Sequence, residues 1–401
     1  MQRAWLMVAV STVMAAMGFG VLFTMAVFLT PLAVEFGWPR ADVSLAYAVA
    51  TIGTGLGGVM MGHFADRMPV RRIAVAGAVV PAAALALLSS TNSLAELYAY
   101  HALMGLFGVG AILAPLNSLA SKWLARNPGL AIGILSAGGA AGQGLVPFFA
   151  RHLVLVDGWR YAYLVLGVLY LAVMLPLAFA IRDAPRQSAA AMAASAVSYA
   201  RSRIHVLGLL CVAVIFCCVC MATPIMHVVA LGSDLGLGGR ASAGLLATMM
   251  VAGILGRIAF GSVADRLGSL QSYVVASVGQ TSLAFLFPYA SSAAALYTLS
   301  AVFGLVFSGA MSSLIACGRE YSPPGRTGLS IGVVMLAGWI GMALGAWQGG
   351  LFYDLCGDYF VSFSNASFAG VVNLLLLGLL YLYTVKGRLA PRSNMALRYR
   401  S

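Results

Sequence analysis

The sequence contains very few charged residues. Asp, Glu, Lys and Arg together make up 8% of its 401 residues, whereas an ordinary soluble domain carries about 25%. Hydrophobic residues make up 61%, and the mean hydropathy is +0.95. A soluble chain of this length has no means of burying so much apolar surface. The composition therefore excludes a soluble enzyme or binding domain and predicts an integral membrane protein.

The sequence also lacks clusters of metal-binding or catalytic side chains. The cysteines that lie close together, Cys211, Cys217, Cys218 and Cys220, have no histidine or acid beside them. We therefore interpret them as small buried side chains in an apolar segment. The histidines are scattered through the chain, at positions 63, 101, 152, 205 and 227. We expect no metal, no cofactor and no enzymatic activity.

Long apolar runs fill most of the chain. They reach the length of about 20 residues that an α-helix needs to cross a bilayer, and they lack the ~10-residue alternating pattern of membrane strands. The runs cover roughly residues 6–33, 44–65, 73–91, 95–120, 130–150, 161–181, 204–231, 242–264, 272–290, 294–316, 328–352 and 361–385. The sequence therefore predicts an all-α integral membrane protein with twelve transmembrane helices.

One link between the apolar runs is longer than the rest, and it divides them into two sets of six. It is polar and basic, and it is rich in Ala and Ser. We predict an N-terminal six-helix bundle over 1–181, a cytoplasmic linker over 182–203, a C-terminal six-helix bundle over 204–385 and a cytoplasmic tail over 386–401.

The net charge of +12 is unevenly distributed. Most of the 23 lysines and arginines fall in the two tails and in the links that share a side with the N-terminus, whereas most of the 11 acids fall on the other side. This positive-inside bias predicts that both termini are cytoplasmic. The positive charge thus indicates the orientation of the chain in the membrane. We expect the basic side to contact membrane lipid rather than nucleic acid.

The two sets of six runs are copies of each other. GHFADR at 62–67 recurs as GSVADR at 261–266, an offset of 199 residues (261 minus 62). The same offset aligns Gly57 with Gly256 and Gly158 with Gly357. Two copies of the same orientation form the parallel repeat of one large transporter class, in which the substrate site lies at the midplane between the halves.

The stretch GHFADRMPVRR resembles the loop signature of the major facilitator superfamily, G-x-x-x-D-R-x-G-R-R/K, with Pro69 in place of the usual glycine. Other stretches are similar to its monocarboxylate and oxalate/formate transporter branch. These are EFGWPRADVS at 35–44, NPGLAIGILSAGGAAG at 127–142, DGWRYAYLVLG at 157–167, HVVALGSDLG at 227–236 and GLFYDLCGDYFVSF at 350–363. The resemblance implies the major facilitator fold and secondary transport by alternating access.

The charged residues of the two signature copies are expected to act as a cytoplasmic gate. The resemblance implies that their aspartates latch this side near a helix N-terminus, whose dipole favours an anion. The gating candidates are Asp66, Arg67, Arg71, Arg72, Asp265, Arg266 and Arg126. The alternative interpretation is that these charges only set the topology.

Arg257 stands inside an apolar run, about 12 Å of helix before Asp265. A centred arginine costs about 2.5–3.5 kcal/mol on insertion, and such residues usually mark a transport pathway. The matching residue of the first copy is Gly58 (257 minus 199), so the scaffold itself needs no charge there. No acid lies deep within an apolar run, and we therefore predict that a substrate carboxylate balances Arg257. The alternative is a structural arginine that donates to helix carbonyls.

The resemblance agrees with this role, because the branch carries an arginine in its eighth helix as the carboxylate anchor. Two departures limit what it implies. The oxalate exchanger of the branch uses a second cation in helix eleven, but residues 328–352 contain no charge, which favours a monoanion. The animal monocarboxylate transporters place an Asp one turn before the arginine, where this chain has Gly253. The proton relay of those transporters is therefore not expected in this chain.

Other polar residues inside the runs are further candidates for substrate binding, although each could serve packing instead. They are Asn117, His227, Gln143, Trp339 and Ser308. Import of a bare anion opposes an inside-negative potential by about 2.3 kcal/mol per 100 mV, so uptake needs a proton or an exchanged anion. The candidate proton carriers are His227, Asp234 and Glu35, near the predicted outer mouth.

We therefore expect a monomeric secondary carrier for a small organic monocarboxylate, coupled to protons or working by anion exchange. One alternative is an efflux carrier for an anionic or neutral compound, and a membrane sensor is a less favoured one. Arginine far outnumbers lysine, and Ala and Gly are abundant. This composition is typical of a GC-rich bacterial genome, and it predicts a multi-pass protein of the bacterial inner membrane.

Overall fold

The computed structural model describes residues 2–65, 68–124, 128–182, 203–321 and 327–389, and every regular element within them is helical. The first set of helices comprises α1 (Gln2–Phe23), α2 (Met25–Phe36), α3 (Arg40–Ala65), α4 (Val70–Leu88), α5 (Leu94–Phe107), α6 (Val109–Trp123) and α7 (Pro128–Ala180). The second set comprises α8 (Arg203–Asp234), α9 (Gly239–Leu267), α10 (Ser269–Leu286), α11 (Ala293–Glu320), α12 (Thr327–Cys356) and α13 (Phe360–Leu389), with a 3₁₀ turn at Phe287–Tyr289.

Ten helical segments of the described chain are long and apolar enough to cross a membrane. One of them, Gly133–Ala180, has 48 residues, and it is broken at Gly158, where φ is 83°. It therefore consists of two helices that are joined at this residue. The helix α10 is not among the ten. The all-helical membrane fold is thus confirmed, whereas the count of twelve spans and the cytoplasmic position of both termini stay predictions.

The sequence repeat is visible in the positions at which helices begin. Each of four helices in the first set starts 199 residues before a helix of the second set, as 40 and 239, 70 and 269, 94 and 293, and 128 and 327 show. Glycines with left-handed φ recur at the same offset, at Gly37 and Gly236 and at Gly158 and Gly357. The two copies therefore share the starts of these helices and these two turns.

Helices of one set pack mainly against each other, and glycines allow the closest approaches. The helix α7 lies along α1, and its repeat partner α12 lies along α8. A Cβ added at Gly142 would overlap the carbonyl oxygen of Ala16, and one added at Gly345 would overlap that of Val219. In membrane helices, small residues permit this kind of backbone contact.

The two sets meet along a few helix pairs. The helix α3 packs against α12, and α7 packs against α9. Because α3 matches α9 and α7 matches α12 in the repeat, these two contacts are equivalents of each other. The end of the first span also meets the second set, where α2 packs against α8. The structure thus has the internal pseudo-symmetry expected of two parallel repeats.

The proposed division into bundles over 1–181 and 204–385 stays a prediction. Most of the predicted linker, residues 183–202, lies outside the described residues. The predicted tail lies outside them from residue 390 onwards, whereas 386–389 continue α13.

The packing of α7 on α1 makes a testable prediction. We expect Gly142→Ala to destabilise the protein, because the new methyl group has to displace the α1 backbone, and overpacking costs about 1–3 kcal/mol. Gly133→Ala is the matched control, since a Cβ at Gly133 meets nothing within 4 Å. The melting temperature in detergent should fall for Gly142→Ala only. Equal melting temperatures would show that α1 and α7 are less tightly packed than described.

Candidate functional site

A cavity of about 460 Å³, part of it open to solvent, lies between the two sets of helices. Helices α1 and α7 of the first set and α8, α9, α11 and α12 of the second set form its walls. Its lining residues are Phe23, Gln143, Cys218, Met221, Ile225, Arg257, Phe307, Met311, Leu314, Met335, Gly338, Trp339 and Met342. The wall is therefore almost entirely apolar, apart from one arginine and one glutamine.

Arg257 reaches this cavity from the middle of α9. Its Nη1 donates a hydrogen bond to the main-chain carbonyl of Ser136 on α7, in the opposite set. Among the described residues, no carboxylate forms an ion pair with Arg257. A guanidinium has five donors, so most of its hydrogen-bonding capacity is unused in this part of the protein. The contact with Ser136 is of the kind that the structural alternative requires, but a neutral carbonyl does not compensate the charge.

Two more predicted site residues line the same cavity. Gln143 projects from α7 and Trp339 from α12. The Trp339 ring stacks on Phe19 of α1 with a centroid distance of 6.4 Å, so it also bridges the two sets. Within the described chain, the amide of Gln143 makes no hydrogen bond to protein and is free to contact a ligand. The structure thus brings Arg257, Gln143 and Trp339 together.

Three other predicted site residues do not line this cavity. Asn117 donates to the carbonyl of Leu113, 2.9 Å away in the preceding turn of its own helix. Ser308 is buried and packs directly against Gly253. His227 lies closer to the end of α8 and is buried among α12 and α13.

Both ring nitrogens of His227 have partners. Nε2 lies 2.8 Å from the carbonyl of Ala346, which can only accept, so Nε2 carries the proton. Nδ1 lies 3.2 Å from the Tyr359 hydroxyl and therefore accepts from it. This neutral histidine joins α8 to α12 and to the start of α13. It is not available to a ligand in this arrangement.

A polar network ties the two sets together at the end of the bundle that holds the first residue of α3. We call this the distal end, because it lies opposite the signature loops, and it is the predicted outer side. The network, named here the Arg40 cluster, comprises Arg40, Asp234, Tyr353, Asp354 and Tyr359. Arg40 makes a two-pronged ion pair with Asp234, with N–O distances of 2.8 and 2.9 Å. It also donates to the Tyr359 hydroxyl at 2.8 Å, and its guanidinium lies 3.9 Å from the centre of the Tyr353 ring.

Asp354 completes the cluster by capping α3 from the opposite set. Its carboxylate accepts from the backbone N–H of Arg40 at 2.9 Å and of Ala41 at 2.7 Å. These are the first N–H groups of a helix, which have no partner within it and which attract an anion. A Cβ at Gly350 would lie 2.7 Å from the Ala41 nitrogen, so only glycine allows the two backbones to come this close.

The repeat explains why Arg40 reaches across. In the first set, Glu35 pairs with Arg160 of the same set at 3.1 Å. At the offset of 199 residues, Asp234 matches Glu35, but the residue that matches Arg160 is Tyr359. The second set therefore has the acid without its own arginine, and Arg40 of the first set supplies one. An ion pair within one set is thus replaced by an ion pair between the sets.

The predicted cytoplasmic gate lies only partly within the described residues. Asp66, Arg67 and Arg126 lie outside the described residues, as does the side chain of Asp265. Arg71, Arg72 and Arg266 are exposed at helix ends, and the Arg71 guanidinium lies 4.9 Å from the centre of the Phe179 ring. Their role as a gate stays a prediction.

The Arg40 cluster is the part of the structure that sequence reasoning missed. In the sequence, Arg40 is distinguished only as one of the few basic residues on the predicted outer side. The available signal was the repeat itself, since Asp234 aligns with Glu35 while Tyr359 replaces Arg160. An acid whose partner is missing from its own copy indicates a partner elsewhere.

The arrangement of the helices matches known transporters. A crystal structure of the nucleoside transporter NupG superposes with a TM-score of 0.76 at 12% identity, covering 94% of this chain and 100% of NupG. At this identity the likeness shows the fold alone. The family model of the Major Facilitator Superfamily matches residues 8–393 of the sequence. The chain belongs to this superfamily.

Relatives in the Major Facilitator Superfamily fit the resemblance seen in the sequence. The chain is 26% identical to the uncharacterized MFS-type transporter YcxA of Bacillus subtilis, over 83% of this chain and 84% of YcxA. It is also 26% identical to monocarboxylate transporter 13 of Bos taurus, over 90% of this chain and 85% of the relative. The oxalate:formate antiporter of Oxalobacter formigenes is 26% identical over 46% of this chain and 44% of its own length. The predicted resemblance is confirmed, and the family consists of membrane transporters, not enzymes.

The Arg40 cluster makes a prediction for the movement of this transporter. We expect Asp354→Ala to open the distal end more often, because it removes both charge-assisted bonds to the start of α3, and hydrogen bonds to charged groups contribute about 1.5–3 kcal/mol each. Spin labels at the exposed residues Val34 and Leu355, in a variant with Cys356→Ser, report the distance between the sets by pulsed electron resonance. The fraction of molecules with a long distance between the two spin labels should increase.

Asp358→Ala is the control for this experiment. Asp358 is exposed, and it accepts from the backbone N–H of Phe360 at 2.9 Å, two residues along the chain. Its removal should leave the distance distribution as in the wild type. If Asp354→Ala behaves like Asp358→Ala, the Arg40 cluster does not hold the distal end closed.

Proposed function

We propose that this chain is a secondary active transporter that moves a small organic monocarboxylate across the bacterial inner membrane by alternating access. The observation that supports this most is the state of Arg257. It is the charged residue in the lining of a cavity between the two sets, and no carboxylate of the described residues pairs with it. A substrate anion is the partner that this site requires.

The chemistry of the site favours one carboxylate. A guanidinium is planar, and its donors match the two oxygens of a carboxylate. A charge that is held away from water without a partner has an unfavourable free energy. An anion that binds Arg257 removes this cost, whereas a neutral molecule removes less of it, so the site favours an anion. The described part of the lining holds no second cation, which favours a monoanion over a dianion. Gln143 adds one donor and one acceptor for a further polar atom of the substrate.

The contact of Arg257 with Ser136 suggests how binding influences the two sets. The guanidinium lies on α9 and the carbonyl on α7, so this hydrogen bond spans the interface between the sets. A carboxylate competes for the same donor. Binding therefore alters a contact between α7 and α9, and a ligand shifts a conformational equilibrium to the extent that it binds the two states differently.

Coupling to protons involves Asp234 in this proposal. Glu35 bonds to Arg160 and to the indole N–H of Trp159, both within its own set, and His227 has both nitrogens occupied. Asp234, in contrast, joins the two sets through Arg40. Its protonation removes the attraction across the distal end and so favours opening there. Exchange of one anion for another is the alternative form of coupling.

Uptake into proteoliposomes tests the role of Arg257. We expect Arg257→Gln to lower the kcat/KM for labelled monocarboxylates by at least about 30-fold, since losing one member of a buried charge pair costs about 2 kcal/mol or more. Arg257→Lys keeps the charge without the planar fork and should retain part of the uptake. Arg3→Gln, which removes an exposed arginine at the start of α1, is the control. Unchanged uptake in Arg257→Gln would make Arg257 structural and favour efflux of a neutral compound.

A second experiment tests the coupling. Asp234→Asn mimics the protonated aspartate, so we expect it to abolish the stimulation of uptake by an inward proton gradient while counterflow of the same acid continues. Glu35→Gln should keep the gradient response, because the bonds of Glu35 lie within one set. A full gradient response in Asp234→Asn would exclude Asp234 as the proton carrier.

A further inference from the structure

The apolar wall of the cavity is much more extensive than a two- or three-carbon acid needs. Eleven of the thirteen residues that line it are apolar or small, and they come from four helices. Among the described residues, only Arg257 and Gln143 bring a charged or amide side chain to it. A small acid bound to Arg257 would leave most of the wall in contact with water.

The apolar side chains form ordered stripes on three helices. On α11 the lining residues are Phe307, Met311 and Leu314, and on α12 they include Met335, Trp339 and Met342. The residues of each stripe are spaced by three or four, so they lie above one another on one helix face. The third stripe, on α8, runs from Cys218 to Ile225. Seven residues of helix span about 10 Å, and the apolar wall is therefore about 10 Å long.

The polar and apolar parts of the cavity are on different helices. Arg257 and Gln143 come from α9 and α7, which pack against each other. The three apolar stripes come from α8, α11 and α12. The cavity thus has a polar end that suits a carboxylate and a long apolar side that suits a hydrocarbon body. Methionine is flexible and polarisable, so a wall rich in it adapts to bodies of different shape.

We propose that the substrate is an amphipathic monocarboxylate, with an aliphatic or aromatic body of about 10 Å or less attached to one carboxylate. This rests on the proposed function, and it narrows the substrate class from any small organic acid to apolar ones. The carboxylate binds Arg257, and the body lies along the stripes of α11 and α12. Lactate-sized acids bind weakly, because they bury little apolar surface.

Binding of a homologous series to the purified full-length protein tests this proposal. The probes are propanoate, butanoate, pentanoate, hexanoate and 3-phenylpropanoate, with hexanamide as the neutral counterpart, measured by isothermal titration calorimetry. Burial of one methylene group is expected to improve affinity roughly fourfold. Hexanoate should therefore bind roughly 60-fold more tightly than propanoate, and hexanamide should bind far more weakly than hexanoate.

Variants of the wall distinguish the cavity from non-specific partition into detergent. Met335→Gln keeps the length of the side chain but adds a polar amide. It should therefore lower the ratio of the affinities for hexanoate and propanoate at least fivefold. Met335→Leu keeps the wall apolar and should restore the chain-length preference. Met68→Gln makes the same chemical change at an exposed methionine outside the cavity and should bind the series as the wild type does.

The outcomes separate this inference from the proposed function. If affinity is flat or falls from propanoate to hexanoate, while Arg257→Gln abolishes binding, the inference is wrong and carboxylate recognition stands. If hexanamide binds as well as hexanoate and Arg257→Gln has no effect, both are wrong. Arg257→Lys, with its melting temperature, shows whether a loss in Arg257→Gln reflects the site rather than misfolding.

Discussion

A guanidinium held between two sets of membrane helices, with no carboxylate of the described residues beside it, is the constraint around which this molecule is organised. In a low-dielectric interior the free energy of such a charge depends strongly on what lies next to it. Arg257 donates to one main-chain carbonyl of α7. Any anion that enters changes both the charge balance of the cavity and the contact between α7 and α9. In the proposed function, recognition and conformational change are therefore consequences of the same interaction.

The contacts at the distal end differ in kind from the contact that Arg257 makes in the cavity. The Arg40 cluster combines an ion pair, two bonds to the start of α3 and an aromatic contact, all of them between the sets. Such a network is strong when intact and is lost as a unit when the sets separate, which suits a two-state element. The cavity lies further along the same interface. An alternating-access cycle needs contacts that break at one end while others persist, and these two regions meet that need.

Sequence alone predicted the helical membrane fold, the repeat and three of the side chains that line the cavity. Arg257, Gln143 and Trp339 were predictable because polar or amphipathic groups are conspicuous inside apolar runs. Asn117 and Ser308 look the same in sequence, but one is bonded within its own helix and the other packs against Gly253. The apolar wall of the cavity was not predictable, because methionines that face lipid and methionines that face the cavity have the same hydropathy. The Arg40–Asp234 pair was missed because its members are 194 residues apart.

The exchange of Arg160 for Tyr359 between the two copies has a broader consequence. A duplicated fold begins as two identical, self-contained modules, and each would hold its own acid with its own arginine. With tyrosine at one of these positions, the second module depends on the first for its countercharge. Two differences between the repeats, Tyr359 at the position of Arg160 and Gly239 at the position of Arg40, together replace an ion pair within one set by an ion pair between the sets. Divergence at a few positions thus gives a symmetric scaffold a contact that can break and re-form.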